Sequence, residues 1–272
     1  MHPRCWEATG INNEIALVYT ASLFFGISFI YSSVGFGGGS SYIAILVLLG
    51  ISLFAVPPIA QILNIIVAGM AMISFAKAKH LSLKFALPFL SSVPFAFLAG
   101  TITVPQQHLA LIFVAALFAA SAALLFSGIR SRFEKSQEIK ANGSKPLDMQ
   151  MIILIGIPTG ALLGLVAGIV GIGGGIWLSP LLILTGMADP KRAAATSSIF
   201  IVANSVSGFV GQSVSKPVDF AFLLPLAFVV LVGGLIGSRL GALRLDHDKM
   251  RIIVGAIVGV AGVNLMLKFL FT

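Results

Sequence analysis

The chain has 272 residues, of which 58% are hydrophobic and 10% are charged. Soluble domains carry about 25% charged residues, so this composition excludes a soluble fold and indicates a multi-pass membrane protein surrounded by lipid. The formal net charge is +8, but the basic residues cluster between apolar runs, as they do in cytoplasmic loops. There is no basic stripe of the kind that binds nucleic acid, so a nucleic-acid partner is not expected. We expect the protein to lie in the cytoplasmic (inner) membrane.

Apolar runs predict ten membrane segments, five on each side of one hydrophilic stretch. The first five cover residues 14–34, 39–54, 58–76, 83–103 and 107–129, and the second five cover 149–170, 174–187, 191–211, 219–240 and 249–271. A helix needs about 20 residues to cross a bilayer, so 39–54 and 174–187 are short for full spans. Whether these two cross the membrane or re-enter it is left open by the sequence.

The hydrophilic stretch "RSRFEKSQEIKANGSKPLD" (130–148) is predicted to be a loop because it is charged and contains Gly and Pro. It divides the chain into an N-terminal transmembrane repeat (1–129), a cytoplasmic basic linker (130–148) and a C-terminal transmembrane repeat (149–272). The sequence therefore predicts an all-α polytopic membrane protein of two repeats, each with about five helical segments.

The two halves are related in sequence. The stretches "GFGGGSSYIAILVLLG" (35–50) and "GIGGGIWLSPLLILTG" (171–186) are identical at 7 of 16 positions, and Pro88 and Gly100 align with Pro225 and Gly237. This similarity indicates an internal duplication.

The distribution of basic residues indicates that the halves have opposite orientations. In the first half, Lys77, Lys79 and Lys84 lie between the third and fourth segments. The equivalent loop of the second half, 212–219, has one basic residue, Lys216, and one acid, Asp219. The other basic residues of this half lie in the loops one span before and one span after it. The positive-inside rule therefore places equivalent loops on opposite sides, and an odd number of segments per half gives the same inversion. Inverted repeats with broken helices are typical of secondary transporters, although a duplicated scaffold without transport would show the same pattern.

The glycine motifs "GFGGG" (35–39) and "GIGGG" (171–175) predict helix breaks inside apolar sequence. Non-helical backbone at membrane depth has to line a protected or watery cavity. Helix starts after such breaks present backbone N–H groups and the positive end of the helix dipole, which favour an anion, and glycine allows a ligand to approach closely. The competing interpretation is tight helix packing, because small residues also line transmembrane interfaces.

Hydroxyl and amide side chains near the breaks are candidate ligands of an anion. Gln61 and Asn64 have an i, i+3 spacing, and Thr196, Asn204 and Ser207 approximate one helical stripe. The predicted substrate site comprises Gly35, Gly37, Gly38, Gly39, Ser40, Ser41, Gln61 and Asn64 from the first half, and Gly171, Gly173, Gly174, Gly175, Thr196, Ser197, Ser198 and Asn204 from the second.

Residues for catalysis or metal binding are not found in the predicted spans. All nine acids fall in loops or at span ends, and the four histidines are peripheral and lack metal-ligand spacing. We therefore expect no enzyme activity, no cofactor and no metal. No acid within a span identifies a coupling ion either.

The glycine motifs, the run "GIGGGIWLSPLLILTGMADPKRAAATSS" (171–198) and the basic linker make the sequence similar to the TauE/SafE family, the sulfite exporter or 4-toluenesulfonate uptake family. The first half differs from the pattern, since Ala44 stands where Pro180 does and "PPIAQILN" (57–64) replaces the Ala-Thr-Ser segment. A symmetric site is therefore not expected. Some sulfur transporters use membrane cysteines, but the one cysteine here, Cys5, precedes the first span, and no thiol relay is expected.

The resemblance implies transport of a small anionic organosulfur or sulfite-like substrate, such as sulfite, sulfoacetate or a related organosulfonate, with export favoured over import. An anion channel and an importer of sulfur oxyanions such as thiosulfate remain the alternatives, and a membrane enzyme is a further one. A homodimer is the default expectation for a membrane carrier. The substrate, the direction and the coupling ion are not determined by the sequence.

Overall fold

A computed structural model describes residues 13–52, 54–102, 104–137, 149–214, 216, 218–243 and 247–270. These residues form eleven α-helices and one 3₁₀ segment, and no strand occurs among them. The helices of the first half are α1 (Asn13–Ser33), α2 (Gly39–Leu48), α3 (Val56–Lys77), α4 (Leu83–Ala86), α5 (Ser92–Thr101), which follows the 3₁₀ segment Leu87–Ser91, and α6 (Gln106–Gln137). Those of the second half are α7 (Met149–Val170), α8 (Gly175–Leu184), α9 (Pro190–Ser213), α10 (Phe220–Leu243) and α11 (His247–Leu270).

Six stretches of helix are long and apolar enough to cross a bilayer. They are Val56–Lys77, Leu83–Thr101, His108–Ser127, Met149–Val170, Pro190–Ser213 and Phe220–Leu243. This confirms an all-α multi-pass membrane protein. The two segments after the glycine motifs are short, as expected, because α2 and α8 each have only 10 residues.

The structure differs from the prediction at the start of the linker. Helix α6 continues to Gln137, so residues 130–137 are helical and not a loop. The physical reason is local composition, since Arg, Glu, Lys and Gln are good helix formers and Gly143 and Pro146 come only later. The remainder of the predicted linker, 138–148, and Cys5 lie outside the described residues.

Helices α3 and α9 pack against each other in opposite directions. Gln61, near the start of α3, lies beside Gly208, near the end of α9. At the other end, Ala71 and Phe75 of α3 share an apolar cluster with Ala194 from the start of α9. The two helices are therefore antiparallel, although they occupy equivalent positions in the two halves of the sequence.

Two further helix pairs join the halves in parallel through rows of glycines. A Cβ on Gly233, Gly237 or Gly241 of α10 would meet backbone oxygens of α1, in the order Phe25, Phe29 and Ser33. On α7, a Cβ at Gly160, Gly164 or Gly168 would meet backbone oxygens of Phe89, Ser92 and Ala96, respectively. Four-residue glycine spacing gives close backbone approach, as at many transmembrane interfaces.

The two pairings are equivalent. The first helix of each half packs on the fourth segment of the other half, so α1 packs on α10, and α7 packs on the 3₁₀ segment and α5. Antiparallel α3 and α9 are what inverted repeats require. The inverted-repeat arrangement, the duplication itself and the domain boundaries at 129 and 148 stay predictions.

Candidate functional site

Each glycine motif ends one helix and starts the next through left-handed backbone. In the first motif Gly35 has φ +82° and Gly38, the N-cap of α2, has φ +87°. In the second, Gly171 has φ +81° and Gly174, the N-cap of α8, has φ +76°. A residue with a Cβ in this region costs about 1–2 kcal/mol, so these positions require glycine.

The breaks leave backbone N–H groups without backbone acceptors. At the first break, the N–H groups of Ser41 and Tyr42 donate to Gly38 O, and no backbone acceptor for residues 37–40 occurs in the part of the chain that the structure describes. At the second, Trp177 and Leu178 donate to Gly174 O, and the described backbone gives residues 172–176 no acceptor. Both helix starts therefore carry the donors that the sequence predicted.

Each break packs against the central helix of the opposite half. A Cβ at Gly35 would overlap Ala194 O of α9, and a Cβ at Gly171 would lie 2.9 Å from Pro57 Cα of α3. The two contacts are equivalent, since Pro57 and Ala194 are separated by nearly the same number of residues as the two glycines. Both breaks thus lie against the antiparallel pair α3 and α9, the first on α9 and the second on α3.

Asn64 connects the two breaks. Its Nδ2 donates to Gly171 O at 3.1 Å, across the halves. Its side-chain amide also lies against the first break, where a Cβ at Gly37 or Gly39 would overlap it. In the second half Ile201 takes the equivalent place, because a Cβ at Gly173 would lie 2.8 Å from Ile201 Cγ2. The two half-sites therefore differ at this position, with an amide in the first and an aliphatic side chain in the second, as the departure of the first half from the family pattern led us to expect.

Further polar side chains continue along the crossing of α3 and α9. The Cβ position of Gly173 is 2.9 Å from Ser205 Oγ and 3.4 Å from Asn64 Nδ2. The Cβ position of Gly208 is 2.5 Å from Gln61 Nε2 and 3.4 Å from Gly168 Cα. Gly168 O in turn accepts from Gln212 Nε2 at 2.6 Å. We call Gln61, Asn64, Ser205 and Gln212 the polar seam. All four side chains are fully buried.

The predicted hydroxyl ligands mostly have partners within the protein. Tyr31 OH lies 3.1 Å from Ser40 Oγ and 2.6 Å from Ser41 Oγ. Thr196 and Ser198 donate to carbonyl oxygens one turn earlier on α9, those of Arg192 and Ala195. Ser197 Oγ is buried and has no partner among the described residues.

Ser207 faces away from the site. Its Oγ donates to Val93 O of α5 at 2.5 Å, so it does not share a ligand-facing stripe with Thr196 and Asn204. The predicted stripe is therefore wrong at Ser207, because α5 packs on that side of α9.

The breaks are closely packed in this conformation. Residues 35–39 and 171–175 are all buried, and the contacts of Gly35 and Gly171 are those expected from the packing interpretation. An anion between the breaks therefore requires α2, α8 and the central helices to move apart. Within the described parts of the chain, no three His, Cys, Asp or Glu side chains are grouped for a metal ion.

Tyr31 and Gln212 are site neighbours that sequence reasoning missed. Gln212 follows Ser205 by seven residues, which is two helical turns, so the helical period could have identified it. Tyr31 lies on α1 and contacts α2 across the break, and no spacing rule predicts that contact.

Cations lie at the two ends of α9. Near its start, the Arg192 guanidinium carbon is 4.2 Å from the Phe85 ring centroid. Beyond its end, Lys216 Nζ is 5.3 Å from the Phe54 ring centroid. Burial lowers the pKa of the Lys216 amine, because water solvates its charged form less well there.

Comparison with known proteins identifies the class to which this arrangement belongs. The family model described as "Sulfite exporter TauE/SafE" matches residues 20–265. "Probable membrane transporter protein y4hK" of Sinorhizobium fredii is 28% identical over 247 residues, which cover 90% of this chain and 96% of that protein. "Probable membrane transporter protein YunE" of Bacillus subtilis is 27% identical over 118 residues, covering 43% of each chain.

No solved structure matches the chain. The family match covers most of the sequence, including both glycine breaks and the polar seam. The chain therefore belongs to the TauE/SafE family, and it is a multi-pass membrane transporter.

Proposed function

We propose that the protein is a secondary transporter that exports a small sulfur-containing anion across the inner membrane by alternating access. Sulfite, sulfoacetate and related organosulfonates are the proposed substrates, in keeping with the description of the family. The observation that carries this proposal is Asn64, whose amide lies between two helix breaks from opposite halves. Each break also presents backbone N–H groups without backbone acceptors.

These groups suit a compact anion. The starts of α2 and α8 supply oriented N–H groups and the positive ends of two helix dipoles, which together favour negative charge. None of the residues predicted to line the site is an acid that would repel it; they are Gly35, Gly37, Gly38, Gly39, Ser40, Ser41, Gln61, Asn64, Gly171, Gly173, Gly174, Gly175, Thr196, Ser197, Ser198 and Asn204. Sulfite and sulfonate groups present three oxygens to such donors.

The packing supports a cycle of alternating access. The pair α1 and α10 and the pair α5 and α7 are each held by glycine contacts, whereas α3 and α9 cross between them. In the proposed cycle these units move past one another at the α3–α9 crossing and open the breaks to one side at a time. We propose a homodimer as the assembly.

The proposal is tested with purified protein in proteoliposomes. Loading unlabelled sulfite inside should drive uptake of external labelled sulfite, because a carrier exchanges one bound anion for another. Saturable counterflow of this kind supports a carrier over a channel. An ohmic sulfite current that never saturates would instead favour an anion channel, and absence of any sulfite or sulfonate flux would refute the proposal.

A variant pair separates the site from general folding. Gly174→Val places a side chain on left-handed backbone at the second break, 2.8 Å from Phe200. Gly186→Val introduces similar strain at φ +69°, but there a Cβ meets nothing within 4 Å. Counterflow should be lost in Gly174→Val and kept in Gly186→Val. Equal counterflow in the two variants would contradict a substrate site at the break.

A further inference from the structure

Three buried amides near the breaks have their nitrogens fixed by backbone carbonyls. Asn64 Nδ2 donates to Gly171 O, Asn204 Nδ2 donates to Phe200 O at 2.9 Å, and Gln212 Nε2 donates to Gly168 O. A carbonyl can accept but not donate, so turning any of these amides around would place oxygen against oxygen. The orientation of each amide is thereby determined.

The three amide oxygens consequently act as acceptors only. Asn64 Oδ1, Asn204 Oδ1 and Gln212 Oε1 are buried and have no donor among the described protein atoms. The side chains of all three residues are 0% exposed. Buried acceptors are nearly always hydrogen-bonded in folded proteins, so these oxygens call for a donor.

One of these oxygens lies at the proposed anion site. A Cβ on Gly39 would be 2.9 Å from Asn64 Oδ1, and a Cβ on Gly37 would overlap the same oxygen. Gln61, one turn away on α3, has a buried Oε1 and Nε2, both without a partner in the described structure. The first break therefore offers N–H donors and, beside them, lone pairs.

An anion that has no O–H or N–H group can pair with the N–H donors of the first break but not with the amide oxygens beside them. Its oxygens accept from the N–H groups, but they repel the amide oxygens. We infer that the site selects anions carrying an O–H or N–H donor beside the anionic oxygens, such as hydrogensulfite or a hydroxylated sulfonate, with Asn64 Oδ1 as the acceptor. This inference rests on the proposed function and refines it, since it ranks sulfoacetate, which has no donor when ionised, below these substrates.

The test uses two sulfonates that differ by one hydroxyl group. Binding of ethanesulfonate and 2-hydroxyethanesulfonate to the purified full-length protein in nanodiscs is measured by calorimetry. The hydroxylated sulfonate should bind roughly ten- to hundredfold more tightly, because its O–H satisfies an acceptor that the other ligand leaves unpaired. This comparison is made on the wild-type protein and needs no variant.

A variant then identifies the acceptor. Asn64→Leu keeps a similar volume but removes the oxygen, so the ratio of the two affinities should fall to near one. A merely structural role would weaken both ligands equally and leave the ratio unchanged. Ser74→Ala serves as the control, because Ser74 pairs with Ser238 and lies three turns along α3 from Asn64. Its ratio should match that of the wild type.

Other outcomes overturn the inference. Equal affinities for the two sulfonates would mean that water satisfies the oxygens, and the proposed function would stand without this selectivity. If sodium ions raised both affinities equally and the ratio stayed at one, the oxygens would belong to a cation site. If the protein bound neither sulfonate nor sulfite, both the inference and the proposed function would fall.

Discussion

The contact between the first break and Asn64 gives a quantitative prediction. Gly37 does not have a positive φ, so alanine fits its backbone, and the penalty of Gly37→Ala is steric. The new Cβ would overlap Asn64 Oδ1 and lie 2.9 Å from Asn64 Cγ. Overpacking of this kind costs about 1–3 kcal/mol of unfolding free energy.

Removing the Asn64 side chain should remove most of that penalty. In an Asn64→Ala background, Asn64 Cα at 3.2 Å would be the nearest remaining neighbour, and a shift of a few tenths of an ångström relieves it. We expect Gly37→Ala to cost less than about 1 kcal/mol there, which gives a coupling energy of about 1–2 kcal/mol.

The assay is denaturant unfolding of the four proteins in detergent micelles, with intrinsic fluorescence as the readout. Gly26→Ala is the control, because a Cβ there meets nothing within 4 Å, and it should be neutral or stabilising. If Gly37→Ala cost the same with and without the Asn64 side chain, the packing of the break on Asn64 would be refuted.

Three other predictions concern stability. Because burial lowers the pKa of Lys216, the unfolded chain binds more protons between that lowered pKa and the usual one, so stability should rise with pH across this window. Lys216→Met should abolish the rise and the exposed control Lys84→Met should keep it; a pH-independent wild type would contradict this. Gly237→Leu should destabilise the protein by several kcal/mol in thermal unfolding, because even a Cβ at this position overlaps Phe29 O. The control Gly69→Leu should cost little, because a Cβ there meets nothing within 4 Å. The Asp189 carboxylate caps the start of α9, because it accepts hydrogen bonds from Lys191 N and Arg192 N. Asp189→Ala should therefore lower the free energy of unfolding by about 0.5–2 kcal/mol, and Asp189→Asn should lower it much less. Equal losses in the two variants would argue against the cap.

The sequence was sufficient to predict most helices of the membrane region, but not that the segment 83–103 is divided into α4, a 3₁₀ segment and α5. Apolar runs located the spans, and the glycine motifs located the breaks, because glycine is needed where Gly38 and Gly174 adopt left-handed backbone. Helices α2 and α8 begin at those breaks, and each ends just before a further left-handed glycine, Gly50 or Gly186. The end of α6 was mistaken because charge indicated a loop, whereas local helix propensity extends the helix to Gln137.

The arrangement of the site was less accessible. Asn64 was identified as a candidate, but its bond to Gly171 joins residues 107 positions apart, and no local period encodes that contact. The pairing of Ser41 with Tyr31 likewise depends on how α2 folds back on α1. The different roles of Asn64 and Ile201 depend on how the two breaks pack against α3 and α9.

The central claim is that the two breaks and Asn64 together hold a small sulfur anion. Equilibrium binding of radiolabelled sulfite, at a mildly acidic pH where hydrogensulfite predominates, to the purified wild type, Asn64→Leu and Gly186→Ala tests it most directly. Saturable binding in the wild type and Gly186→Ala, with affinity reduced at least tenfold in a folded Asn64→Leu protein, is the predicted result. Undiminished sulfite affinity in Asn64→Leu would contradict it.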